Sequence, residues 1–258
     1  MSNAIIIGEP SSGKTRALGT LPPKRVIFSL DPHGFSALRV PFIEVPAGGF
    51  TPQCLAECDT VVIDYASAQQ QISSGVDRGS RVFGSTTVYQ YLVRDLNAVL
   101  ACPEVLSIGL DGLTGLGTVI LEAVMGLNRR TKPNSMADYG DAIEKIIEIV
   151  SVCAAAKNKY FVLVSHIQLE KDELSGRIKE SPLVYGKQLP GRLLALFDSK
   201  FQSAFSGDSY YWLTKPTPLM ATIGSRLHDD LPERINQDFT QLFAGRVQPA
   251  TSGSRKNN

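Results

Sequence analysis

The chain is predicted to be an α/β protein with a mostly parallel central sheet, helices on both faces and an antiparallel C-terminal extension. Three observations predict this. Residues 4–7, 25–30, 60–63, 105–110 and 161–164 form short, largely apolar runs rich in β-branched side chains, as strands buried on both faces do. Between these runs lie stretches with apolar residues at helical spacing, the alternation of a sheet covered on both sides. After about residue 170 the pattern changes to short β-like pieces set among charged and turn residues.

The elements follow in order. Ala4-Ile5-Ile6-Ile7 runs straight into Gly8, and a helix from about Gly13 to Leu18 must stop before Pro22-Pro23. The second strand, 25–30, ends in the turn Asp31-Pro32-His33-Gly34. The third, 60–63, leads to Asp64. Residues 66–87 are rich in Ser, Gln, Gly and Thr and read as a surface excursion. Tyr89, Leu92, Val93, Leu96, Val99 and Leu100 then share a helix face. Strand 105–110 ends at Asp111. The next helix carries Leu116, Val119, Ile120, Val124 and Leu127, and a basic loop with a proline spans 128–134. Ile143, Ile146, Ile147, Val150 and Ala154 stripe a further helix before strand 161–164. Residues 210–213 and 219–223 read as antiparallel strands at the sheet edge. The expected organisation is one domain over 1–248, with a disordered polar tail at 249–258.

Composition narrows the function classes. With 258 residues and 43% hydrophobic content, the chain can bury a sizeable core. Its 26 basic and 25 acidic residues leave a net charge of +1, so polyanion binding must come from a local patch. No apolar run is long enough to span a bilayer: 105–127 is interrupted by Asp111 and Glu122. The first residues lack a secretory pattern, and four cysteines do not make a disulfide scaffold. Cys54 and Cys58 have no nearby partners for zinc. A cytoplasmic protein with no membrane partner is expected.

The strongest motif is Gly8-Glu9-Pro10-Ser11-Ser12-Gly13-Lys14-Thr15, which fits G-x-x-x-x-G-K-[ST]. The glycines allow backbone geometry that side chains would block, and the loop then wraps its N–H groups around phosphate oxygens. Lys14 is placed to reach the β- and γ-phosphates, the Thr15 hydroxyl to ligate Mg²⁺, and Arg16 adjoins the loop. ATP and Mg²⁺ are the expected cofactors.

Such a site needs a carboxylate at the end of a second buried strand. Asp111 and Asp64 compete. Asp111 is preferred because a helix follows it closely, whereas Asp64 opens into the polar stretch. Asp31 is the candidate for activating water, with turn formation as its alternative. His166 could sense the γ-phosphate or serve the strand end structurally.

Together these residues resemble the RecA-like P-loop ATPases over roughly residues 1–245. GEPSSGKT is similar to their phosphate loop. VIFSLDPHG resembles the strand ending in the catalytic carboxylate, with Asp31 where Glu is usual. VLSIGLDGLTGL resembles the magnesium-binding strand, and FVLVSHIQ the sensor strand, with His166 where Gln is usual. The length and the ending ATIGSRLHDDLPERINQDFTQLF look most like small bacteriophage members, some of which anneal single strands in recombination. Where those carry a Lys-x-Arg pair, this chain has Gly224-Ser225-Arg226. The resemblance implies ATP hydrolysis, single-stranded DNA as partner, and a ring or filament in which Arg226 of a neighbour, or secondarily Lys215, reaches the nucleotide. Arg226 pairing with Asp229 or Asp230 is the plain alternative. Arg129, Arg130 and Lys132 are the expected DNA contacts. A second basic group, Lys171, Arg177, Lys179 and Lys187, is interspersed with Asp172, Glu173 and Glu180 and reads as a solvated face. Two other functions use the same loop: a small-molecule or nucleotide kinase, for which 66–87 offers only Arg78 and Arg81 as lid arginines, and a non-hydrolysing assembly module.

Overall fold

The computed structural model describes residues 2–32, 34–73, 78–128, 136–171, 178–186, 188–207, 209–228 and 230–245, with residues 71–73 and 78–85 described as backbone alone. The expected tail at 249–258 and the basic residues Arg129, Arg130, Lys132, Arg177 and Lys187 lie outside them.

Five apolar runs form the parallel centre of the sheet: β1 (Asn3–Gly8), β2 (Arg25–Ser29), β4 (Thr60–Asp64), β5 (Ser107–Asp111) and β6 (Tyr160–Lys171). Every residue of β1, β2, β4 and β5 is buried, which is why these stretches read as continuous apolar runs rather than alternating ones. β3 (Ile43–Pro46) adds a parallel edge beside β4. At the other side β8 (Ser199–Ser206) runs parallel to β1, followed by the antiparallel β9 (Ser209–Leu213) and β11 (Arg234–Asn236). The spatial order is β11-β9-β8-β1-β6-β5-β2-β4-β3. β7 (Ile178–Pro182) pairs with β6 alone, and β10 (Gly224–Ser225) with β8. β6 therefore lies between β1 and β5, and the residues ending β1, β6, β5 and β2 meet at one edge of the sheet.

Helices cover both faces. α1 (Lys14–Leu18) and the residues just after it pack Ala17, Leu18 and Leu21 on one face with Trp212, Phe239 and Leu242. The other face is covered by α4 (Arg78–Ala101), α5 (Leu113–Leu127) and α6 (Ala137–Ala154), separated from one another in sequence by strand β5 and a connection but sharing one core. Short helices α2 (Gln53–Glu57), α3 (Tyr65–Ser73), α7 (Leu189–Ala195) and α8 (Phe239–Phe243) complete the set among the described residues. None is long and apolar enough to cross a membrane.

Three expectations need correction. Residues 66–87 are not an open excursion: α3 and the start of α4 occupy most of them. Polar composition hid the helix, whose later turns are held by burial of Val88, Leu92, Leu96 and Val99. Residues 219–223 form a turn instead of a strand, with Met220 N–H donating to the Thr217 hydroxyl at 3.0 Å. β5 begins at Ser107 and not at Val105; the amides of Leu106 and Ser107 both donate to the Lys24 carbonyl, in the connection before β2. The C-terminal extension is as expected largely antiparallel, β7 pairing antiparallel with β6 and β9 and β11 extending the edge, with β8 inserted parallel to β1.

One buried carboxylate organises the β3–α4 side. Asp95, on α4, is 1% exposed. Its Oδ2 accepts from the Tyr65 hydroxyl and from the Gly48 backbone N–H, both at 2.6 Å. Removing it leaves two buried donors without an acceptor, so Asp95→Ala should cost about 3 kcal/mol of unfolding free energy in urea titration. A loss below about 0.5 kcal/mol, the range of ordinary surface changes, would show that this contact does not hold the two elements together.

Candidate functional site

The phosphate loop connects β1 to α1 at the carboxyl ends of the parallel strands. Ser11 (φ 62°) and Gly13 (φ 90°) both adopt left-handed backbone geometry. An added Cβ at Gly8 would strike Ser12 and Ser203, and one at Gly13 would strike Gln237 and Tyr210. Gly8 is thus required by close approach, and Gly13 by close approach as well as by conformation. Lys14 folds back over the loop, its Nζ donating to the carbonyls of Gly8 at 2.9 Å and Glu9 at 2.7 Å. Burial lowers the Lys14 pKa, opposed by Asp111, Asp31 and Glu9.

Thr15 Oγ1 donates to Asp111 Oδ2 at 2.7 Å. Asp111 is 1% exposed, and burial pushes its carboxyl up to about 6 against the pull of the Thr15 hydroxyl. Asp31, two residues past β2, sits beside it. His166 Nε2 stands 3.4 Å from Asp31 Oδ2, while His166 Nδ1 is buried without a partner. Gly112 (φ 112°) leaves the space Asp31 fills, since a Cβ there would collide with its carboxylate.

Lys14, Thr15, Arg16, Asp31, Asp111 and His166 all line one cleft of about 470 Å³. Asp64 does not. It ends β4, four strands from β1, about 19 Å across the sheet at normal strand spacing. Its Oδ1 accepts from the Ser67 N–H at 3.1 Å, at the start of α3, and it lines a separate cavity of about 450 Å³. Arg226 is outside the cleft as well. It is exposed and follows Ser225, which pairs with Ser199; Ser199 in turn lies opposite Ala4, at the amino end of β1. Lys215 is exposed and does not line the cleft. In the second basic group Lys179 is 3.5 Å from Glu170.

The sequence reading missed the far side of the cleft. Tyr210, from β9, lines it, and the Arg16 guanidinium lies over its ring at 5.4 Å. The short run Tyr210-Tyr211-Trp212-Leu213 read as a strand, but nothing local placed it over the loop. Gln237, just beyond β11, donates through Nε2 to Ser203 Oγ at 2.6 Å and to the carbonyls of Ser12 and Tyr211, both at 3.0 Å. Ser203 Oγ also donates to the Ser12 carbonyl, at 2.8 Å. Arg39 enters the cleft from the segment after Asp31.

The donor set fits a hydrated Mg²⁺: a hydroxyl and a carboxylate in contact, hard oxygen ligands beside a phosphate cradle. Thr15 would hold it directly and Asp111 through water.

No family model matches the chain, and no curated protein matches it. Among solved structures, the RadB recombinase is similar over 85% of this chain and 89% of its own, at 10% identity and a TM-score of 0.37. The flagellar accessory protein FlaH from Methanocaldococcus jannaschii is similar over 91% of this chain and 83% of its own, at 12% identity and a TM-score of 0.33. Likenesses this distant leave the reading of the site to its own geometry.

Proposed function

We propose that the chain is a Mg²⁺-dependent, RecA-like ATPase of bacteriophage type that binds single-stranded DNA in recombination or replication. The observation that carries the nucleotide part is the contact of Thr15 with Asp111 directly beside the Gly8–Thr15 loop. A phosphate cradle and a buried carboxylate at the carboxyl ends of parallel strands, here β1 and β5 on either side of β6, are the arrangement that binds and cleaves a nucleoside triphosphate.

The chain's own groups divide the work. The loop N–H groups receive phosphate oxygens, and Lys14 exchanges the carbonyls of Gly8 and Glu9 for the β- and γ-phosphates. Asp31 accepts a proton from an attacking water, and His166, 3.4 Å away, orients Asp31 and reports on the γ-phosphate. Bound Mg²⁺ supplies charge neutralisation at the phosphates. Arg129, Arg130 and Lys132 are the proposed DNA contacts. A net charge of +1 gives one subunit little long-range attraction to DNA, so an array repeating a local patch is the expected binding form. In such an array Arg226, at the opposite end of the sheet from its own nucleotide, faces outward toward a neighbour's.

A second reading, phosphoryl transfer to a small acceptor, uses the same loop, and its acceptor would have to enter the loop's own cleft, since the cavity lined by Glu44, Asp64, Ser67 and Tyr91 lies at β3 and β4. Phosphate release without an acceptor supports the ATPase; product formed only with an added acceptor supports the kinase.

Lys14→Ala should abolish ATP turnover while leaving the fold intact, and Asp111→Asn should reduce Mg²⁺-dependent turnover far more than Asp64→Asn. Steady-state phosphate release checks both, and equal losses for the two Asp variants would move the magnesium site.

Asp111 also predicts a pH dependence. The folded state holds its proton more tightly than the unfolded chain, with a pKa of about 6. The group therefore favours folding below about pH 4, and that contribution is lost as pH rises toward 6. In urea titration without nucleotide, Asp111→Asn should be about 1–3 kcal/mol more stable than the parent at pH 8 and no more stable at pH 4. Equal stability at pH 8 would mean that the carboxylate is not strained by its burial.

Replacing Arg129, Arg130 and Lys132 together with Ala should weaken single-stranded DNA binding and reduce its salt slope, by roughly 0.7 per lost phosphate contact. An unchanged salt titration would place the DNA surface elsewhere.

A further inference from the structure

We infer that Arg39 is the cation that meets the terminal phosphate of a nucleotide held in its own subunit. The inference rests on the nucleotide reading above and completes its site from within one chain.

Position is the first support. Past Asp31 the chain makes a short 3-10 turn, Gly34–Ala37, and then runs along α1. Leu38 is buried in the cluster that contains Ala17, Leu18 and Leu21. The side chains of Val40 and Leu38 stand 3.3 and 3.6 Å from where a Cβ on Gly19 would be. The residues on either side of Arg39 are thus anchored against the end of α1, and Arg39 alternates outward to line the cleft with Thr15 and Asp31.

Charge is the second. The cleft holds three cations and two carboxylates. Lys14 is occupied by loop carbonyls, and Arg16 lies over Tyr210, on the β8–β9 side. Asp31 and Asp111 occupy the other side, where an incoming γ-phosphate meets two like charges. Arg39 lines the cleft from the segment that follows Asp31, and among the described residues its guanidinium has no hydrogen-bond or ion-pair partner. A guanidinium presents paired donors that match phosphate oxygens, and its charge offsets the two carboxylates as the phosphate arrives.

Arg226 cannot do this in cis. Ser225 lies level with Ala4, four residues before Gly8, or about 13 Å down the strand. Within one subunit, Arg16 and Arg39 are the arginines that line the cleft, and Arg16 is the one held over Tyr210.

The test compares Arg39→Ala and Arg39→Lys with the parent for ATP and ADP affinity by calorimetry, and for turnover. Loss of a charge-assisted phosphate contact should weaken ATP binding about 10- to 100-fold and leave ADP binding unchanged, with partial rescue by Lys. Arg39 is exposed, and matching thermal melts show that each variant is folded. Mixing Arg39→Ala with Lys14→Ala should restore no activity, since both defects fall in the same subunit's site. Equal loss of ATP and ADP affinity, no loss at all, or recovered activity on mixing overturns the inference while ATP binding by the parent leaves the nucleotide reading standing. A parent protein that binds neither nucleotide overturns both.

Discussion

The site depends on how closely α1 approaches β5. Gly109 lies two residues before Asp111, on the same face of the strand, and the absence of a side chain there leaves a flat patch. Leu18 and Leu21 fill it: a Cβ at Gly109 would lie 3.2 Å from one and 3.5 Å from the other. That contact seats the helix low on the sheet and brings Thr15 within 2.7 Å of Asp111. A carboxylate as buried as Asp111 is costly unless it is hydrogen-bonded, and the Thr15 hydroxyl is the partner that the low seat provides. A chain that held α1 even one methyl group higher would keep the phosphate loop and lose its connection to the carboxylate.

The C-terminal strands set the other wall. Trp212 is fully buried, stacked on Phe201 at 5.8 Å and against Phe239 at 4.6 Å between ring centres. This aromatic packing fixes β9 and α8 beside α1, and Phe239 N–H donates to the Thr20 hydroxyl at 2.8 Å. Gln237 is thereby held against the Ser12 carbonyl and Tyr210 over Gly13. The phosphate loop is braced by residues more than 190 positions away in sequence, so its shape is a property of the whole sheet and not of eight residues.

Electrostatics follow from this geometry. Asp111, Asp31 and His166 meet because β6 is inserted between β1 and β5, which aligns Gly8 with His166 and Asp111 with Val164. The carboxylates then face Lys14 across the cleft, and burial acts on each in the expected direction: the Asp111 carboxyl is raised and the Lys14 ammonium lowered. Added positive charge near Asp111 favours its ionised form.

The sequence alone determined the parallel centre. Strands buried on both faces must be apolar at successive positions, and β1, β2, β4, β5 and the first half of β6 could be read directly for that reason. The phosphate loop was equally legible, because its glycines and Lys14 act within a few residues of one another. Elements whose stability comes from partners were not. The start of α4 looked polar and unstructured, 219–223 looked like a strand, and β8 offered only a weak alternation that could not show its parallel pairing with β1. The separation of Asp111 from Asp64 came from strand order, which puts the second carboxylate four strands from the loop. Arg39, Tyr210 and Gln237 carry no local signature at all. Their places in or against the cleft are set by long-range packing of Leu38 on α1 and of Trp212 on Phe239, and such contacts exist only once the chain has folded.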